Sequence, residues 1–424
     1  MLFHEDTLPE PSTSPEETVL STIAREPSGS SAPRADDITM ESTEMPCPDA
    51  RRDVPTGIRR DENTSGDDQV DHDRATQSDT DADVIKLEHR RDSDSDAASV
   101  TTIAYSPNGQ YIATGADDTL VIIWDAMTGT LLQTCSEHSD TVHSLAFSPD
   151  SRQLVSGAAD RLAIVYDVQT GHRLETLAGH ADTVYSVAYS PNGHYIATGS
   201  VDTTVKLWDA HSGQERFLAS ADSAIVLTVA FSPDSRRLVS ASGDCCARIW
   251  SVQDGTLLNV LKGDQGINAL AYAPDNRRLV TGSDDGSARI WDADTGLELV
   301  DVREHSGPIW AVAFSPDGTR LLSAASDGSV RIGDSYSGDK LHDIDADDQL
   351  VTAVAISPSS SRICVSSSES IRVWDAMTAN QLAELTSHSE QITHLRFSPD
   401  ATRIVSSSDD GLVHIWNIDI PNLH

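Results

Sequence analysis

The sequence predicts an all-β chain in which eight similar units, each of four short antiparallel strands, close into a ring. Three observations carry this expectation. An aromatic residue, most often followed by Asp, returns about every 42 residues, at Trp124, Tyr166, Trp208, Trp250, Trp291, Trp374 and Trp416, with Gly333 at the one non-aromatic place. The apolar runs between these anchors are four to six residues long and are bounded by Gly, Pro and Asp, too short for helices. A four-stranded unit of this kind is apolar on both faces, so it is stable only with a neighbour on each side.

The elements follow in chain order. Residues 1 to 82 hold 20 Asp and Glu against 7 Lys and Arg, and Phe3 is their only aromatic. Such a segment buries too little apolar surface to offset its ordering entropy, so it is expected as a disordered acidic tail, with the folded unit spanning 83 to 424. One repeat shows the strands plainly. Val184, Val187 and Tyr189 lead into the turn Ser190-Pro191-Asn192-Gly193; Tyr195-Ile196-Ala197-Thr198 is a second strand, turning at Val201-Asp202. Val205-Lys206-Leu207-Trp208 is a third, and Arg216-Phe217-Leu218 follows Ser212-Gly213 as a fourth.

These residues resemble the WD-repeat β-propellers, most of all the highly regular ones of fungi. Gly179-His180 precedes the first strand, Asp202 sits in the second turn, and Trp208-Asp209 closes the third strand. The likeness covers about 340 residues and implies an eight-bladed ring, with seven blades as the alternative. It also implies a buried polar chain in each blade. His180, Thr198, Asp202 and Trp208 complete it, as do His388, Ser406, Asp410 and Trp416. Elsewhere the chain departs from the pattern: Asp96 falls at the His position of repeat 1, and Tyr166 keeps a hydrogen-bonding tip in repeat 2. Asp222 replaces His in repeat 4, and the loop of repeat 5 shrinks to Gly263-Asp264-Gln265-Gly266. Repeat 6 has Gly333, and repeat 7 keeps only Trp374, with Asp347, Val365 and Glu369 at its other three places, so these two are expected as the softest blades. Only seven convincing fourth strands follow the repeats. In the family the missing one often comes from the chain's beginning, which points to residues 84 to 88.

Recurrence in several blades also removes a temptation to read Ser, His and Asp as a hydrolase triad, because the His donates inward and no oxyanion hole accompanies it. There is no Gly-rich phosphate loop, no His-Glu-x-x-His and no Cys/His cluster, so no enzyme, cofactor or metal site is expected; a metal-dependent propeller enzyme is the alternative of another class. Net charge is −37, which repels nucleic acid and anionic membranes and favours basic protein partners. The start lacks a basic and apolar leader, no apolar run approaches the roughly 20 residues of a membrane span, and the five cysteines form no Cys-x-x-Cys pair. An intracellular place, cytoplasm or nucleus, is the expectation. Arg51-Arg52 with Arg59-Arg60 as a nuclear address, and Ser14, Ser93 and Ser95 as kinase sites, are weak signals of the same kind.

The resemblance further implies where partners dock: around one mouth of the channel, at the residue after the first buried Val or Ile of each repeat, and at the one before the turn Asp. The first set is Thr101, His143, Tyr185, Leu227, Asn268, Trp310, Thr352 and Thr393; the second includes Asp117, Asp284 and Asp409. Trp310 is the one tryptophan outside the architectural register, and beside Leu227, Tyr185 and His143 it has the composition of an interface hot spot. Its structural alternative is to cap its own blade where Gly333 has lost the Trp. A protein-interaction scaffold is therefore the expected function, with a nuclear reader of basic tails as the narrower alternative.

Overall fold

A computed structural model describes residues 84–89, 98–219, 223–345 and 351–418. The expected tail, with its arginine pairs and Ser14, lies outside these residues, as do Ser93, Ser95, Asp96, Asp222 and Asp347. The described chain holds 32 strands, β1 to β32 in order, arranged as eight antiparallel sheets of four.

Local chemistry sets each blade. In blade 3, β10 (Val184–Tyr189), β11 (Tyr195–Ser200), β12 (Val205–Asp209) and β13 (Glu215–Ala219) run as a meander from channel to rim. The Ser190 hydroxyl accepts from the Tyr195 amide at 2.9 Å and so closes the first turn. The second turn places Thr203 at φ 70°, and Asp202 offsets this strain by accepting from the Thr204 amide at 2.9 Å. Blades then cover one another: Val205 and Leu207 of blade 3 pack with Val226, Val229 and Trp250 of blade 4 in one buried cluster. Gly199 permits this approach, since a Cβ there would lie 2.7 Å from Val226.

Each inner strand packs against the next, and β30 (Ile392–Phe397) packs against β2 (Val100–Tyr105), which closes the ring. Blade 8 takes its outer strand from the other end of the chain. β1 (Val84–Glu88) pairs antiparallel with β32 (Leu412–Asn417), setting Leu87, only 2% exposed, opposite Val413.

One reading from the sequence is corrected here. The histidine of blade 1 is not lost to Asp96: His89, immediately after β1, bonds Thr114 at 2.8 Å and Asp118 at 3.2 Å, and Trp124 donates to Thr114 at 2.9 Å. Counting back from the strand assumed a loop of constant length, whereas the imidazole needs only to arrive within reach. In blade 2 Tyr166 stands where other blades have Trp; it is fully buried, burial first pushes its phenol well above the usual value, and the Ser156 hydroxyl beside it acts in the opposite direction.

The seam between blades 6 and 7 is the sparsest of the ring, where β22 (Ile309–Phe314) meets β26 (Val351–Ile356). In blade 7 the indole nitrogen of Trp374 is buried without a partner, because Val365 occupies the hydroxyl position; such a group costs about 1 to 3 kcal/mol. Hydrogen exchange is expected to be faster over Val351–Trp374 than over Val184–Trp208, and equal protection would contradict a soft blade 7.

Blade 8 holds an acid-sensitive cluster. His414 is buried, neither of its nitrogens has a partner, and its ring stacks on His388 at 3.9 Å. Burial, then the neighbouring His388 and Lys86, push it down to about 3 against the pull of Asp410. Burial and then Arg396 push His394 down to about 3 as well. Both stay neutral in the fold, while the unfolded chain protonates them near pH 6.5. From about pH 6.5 down to 3 the unfolded state therefore binds more protons, and stability falls as pH falls. Blades 1 and 2 carry Ile122 and Ile164 where blade 8 has His414. His414→Ile is expected to flatten the loss of thermal midpoint between pH 7.5 and 5; an unchanged slope would show that His414 does not carry it.

Candidate functional site at the channel mouth

The polar chains come first, because they occupy most of the reactive side chains. In blade 3 Trp208 donates to Thr198 at 2.9 Å, and His180 stands between Thr198 at 2.7 Å and Asp202 at 3.0 Å. Blade 8 repeats this with Trp416 to Ser406 at 2.8 Å and His388 between Ser406 at 2.8 Å and Asp410 at 3.0 Å. Asp202 holds a proton on the facing imidazole nitrogen, so the hydroxyl donates to the other. Burial lowers His180 below the usual histidine value and keeps it neutral. Thr198 and Ser406 are fully buried, which leaves these hydroxyls no route to a substrate.

In blades 4 and 5 an arginine takes the place of the histidine. Arg248 grips Asp244 with two bonds at 3.1 and 2.7 Å in blade 4. Arg289 donates to Asp285 at 3.1 Å and to Asp264, from the shortened loop, at 2.5 Å in blade 5. Sequence reasoning missed both. The signal was an Arg two residues before each of these tryptophans, Trp250 and Trp291.

One mouth of the channel is built by a repeated irregularity. Every inner strand carries a β-bulge after its first residue, so that Val100 pairs with Ala116 but Thr102 with Gly115, and likewise around the ring. The extra residue is in turn Thr101, His143, Tyr185, Leu227, Asn268, Trp310, Thr352 and Thr393. A bulge frees its residue from the sheet's pairing and re-aims the side chain, so all eight positions are presented in equivalent fashion.

The eight divide into two arcs. On blades 7, 8 and 1 the side chains are threonines engaged with the frame: Thr352 bonds Ser366 at 2.8 Å, Thr393 donates to Val100 of the next blade at 3.1 Å, and Thr101 donates to Val142 of the next. On blades 2 to 6 they are larger. His143 and Tyr185 stack at 5.3 Å, Leu227 follows, and the Asn268 amide donates to Asp284 at 2.7 Å and to the Ile309 carbonyl at 3.3 Å. Trp310 stands next. It is half-buried and joins none of the apolar clusters, although Ile309, Ala311 and Val312 around it do.

The three rim aspartates are not together. Asp284 lies on the large-residue arc, beside Asn268. Asp117 and Asp409 flank Ser99 on the threonine side, where Ser99 donates to Asp409 at 2.9 Å and its carbonyl accepts from the Asp117 amide at 3.2 Å. Asp117 is held above the usual carboxylate value, by desolvation first and by Asp118 second. Among the described residues no group of three or more His, Cys, Asp or Glu is placed to hold a metal ion, and no helix is long and apolar enough to cross a membrane.

Eight four-stranded sheets in a ring, with the Trp-hydroxyl-His-Asp chain complete in blades 1, 3 and 8 and an arginine on the turn Asp in blades 4 and 5, define a WD-repeat propeller. The chain belongs to the family described as WD domain, G-beta repeat, whose model matches residues 88–125, 129–167, 171–209, 213–251, 255–292, 297–334, 338–375 and 379–417. Short stretches are similar to Periodic tryptophan protein 2 of Arabidopsis thaliana, 46% identical over 43 residues, and to its Mus musculus homolog, 48% over 40. Those stretches are 10% and 9% of this chain and only 5% and 4% of those proteins. The crystal structure of the computationally designed Ika8 protein is similar over 76% of this chain and 97% of its own, at 29% identity and a TM-score of 0.69. Propellers of the WD-repeat family are in general protein-interaction scaffolds and typically not enzymes.

Proposed function

We propose that this protein is a non-enzymatic scaffold that takes a basic segment of a partner protein at the channel mouth, on the arc from His143 to Trp310. The observation that carries the reading is the grouping of Trp310, Asn268 and Asp284 on adjacent blades, with Leu227 and the His143–Tyr185 stack continuing the same rim. An indole face and a carboxylate side by side suit an Arg or Lys side chain, through cation–π and charge-assisted contacts. Trp and Tyr at the centre of a rim are also the residue types that dominate binding energy at interfaces.

The test is binding of labelled Arg-rich and Lys-rich peptides to the folded chain, against a neutral peptide of equal length. Binding of the basic peptides that weakens about tenfold or more from 0.1 to 0.5 M salt is the expected result. Equal binding of the neutral peptide would sink the basic-segment reading. A preference for Lys-rich sequences would favour the narrower role of a reader of basic tails.

A further inference from the structure

Inside the channel, blade 8 differs from the other seven at two positions of one strand. The fifth residue of the inner strand is alanine in each of blades 1 to 7, from Ala104 to Ala355, and Arg396 in blade 8. The third is serine, threonine or alanine in those blades, as in Ser144, Ser186 and Ala353, and His394 in blade 8. Residues two apart on a strand share a face. That face looks toward the next blade at the channel wall, as shown by Ser144 accepting from the Val187 amide and Ser186 from the Val229 amide, each at 3.1 Å. The matching alanines Ala104, Ala146 and Ala188 pack partly buried against the next blade's inner strand. Arg396 is half-buried at this place, its Nη1 donates to the Leu395 carbonyl at 2.9 Å, and its charge is close enough to His394 to act on that imidazole. His394 is only 3% exposed, and its Nδ1 is buried with no hydrogen-bond partner.

We propose that His394 and Arg396 form an oxyanion site in the channel, at the seam between blades 8 and 1, that takes a carboxylate or phosphate group. A buried imidazole nitrogen without a partner is a standing cost that a hydrogen-bonding ligand removes, and the guanidinium supplies the charge and the forked geometry that oxyanions match. The site begins at His394, directly after the bulged Thr393, and reaches Arg396 about 10 Å along β30 from that bulge, toward the opposite face. It lies on blade 8, on the threonine side of the ring, apart from the basic-segment arc of blades 2 to 6 and opposite to it in sign of charge.

The variants are provided by the other blades. Arg396→Ala and His394→Ser restore residues that fold in the same position elsewhere in this chain, and circular dichroism checks that they do so here. Thermal midpoints are measured for the full chain and both variants with inorganic phosphate or with acetate, at constant ionic strength. In the parent, at least one anion at tenfold excess over its Kd is expected to raise the midpoint by about 2 °C or more. That rise is lost in Arg396→Ala and reduced in His394→Ser, and the anion giving the larger rise identifies the source. A rise of equal size in all three proteins marks a general salt effect and overturns the proposal, as does no rise with either anion.

Discussion

Replacing Trp310 with threonine is expected to weaken capture of a basic peptide about thirtyfold or more, while the thermal midpoint of the ring stays level or rises. The binding loss follows from the size of a central tryptophan's contribution at interfaces, about 2 kcal/mol or more. The stability expectation follows from the neighbouring blades. Thr101 and Thr393, at the same bulge, each donate to the first carbonyl of the next inner strand, and Asn268 does the same with its amide. Trp310 makes no such bond, and it sits at the blade 6 to 7 seam where the inner strands meet least. Threonine there offers the Val351 carbonyl a donor worth about 0.5 to 1.5 kcal/mol. A residue that forgoes a stabilising bond available to its equivalents is the pattern of a functional position. The opposite result, a midpoint several degrees lower with peptide capture intact, would make Trp310 a packing residue and end the proposal.

Shortening the chain to start at residue 95 is expected to lower the thermal midpoint by about 10 °C or more, whereas starting at residue 80 leaves it within about 1 °C. The difference lies in six residues. β1 pairs along the whole of its length with β32, Leu87 buries fully against Val413, and His89 completes the polar chain of blade 1. Burying a leucine contributes about 1.5 to 3 kcal/mol, and each hydrogen bond of the chain about 0.5 to 1.5. The segment also joins two blades: Gly129, in the last turn of blade 1 at φ 70°, packs directly on Ile85 and Leu87. His89→Ala alone is expected to cause a smaller fall, since the ladder remains. If the chain starting at 95 melts with the parent, the ring is closed by something other than β1.

Much of the fold was legible because its signals are short-range. Ser190-Pro191-Asn192-Gly193 folds back on itself through its own hydroxyl, and Asp202 holds the next turn two residues away, so periodicity and turn chemistry reveal strands without knowledge of the ring. The candidate mouth was legible only as positions. That each is the extra residue of a bulge, and that five consecutive blades carry the large side chains, became clear once the ring set them side by side. Arg396 and His394 were present in the repeat pattern as departures, yet a departure has chemical meaning only when its direction is known.

The sequence by itself determined the four-stranded unit, its eightfold return and most of the polar chain, since these depend on spacings within one repeat. Only the tertiary structure decided which groups meet across repeats. His89 rather than Asp96 serves blade 1, Arg289 reaches Asp264 in place of an imidazole, and Ser99 meets Asp409 from 310 positions away. Loop lengths vary and ring closure joins the two ends of the chain, so proximity there is set by the path of the backbone through space, which local spacing does not encode.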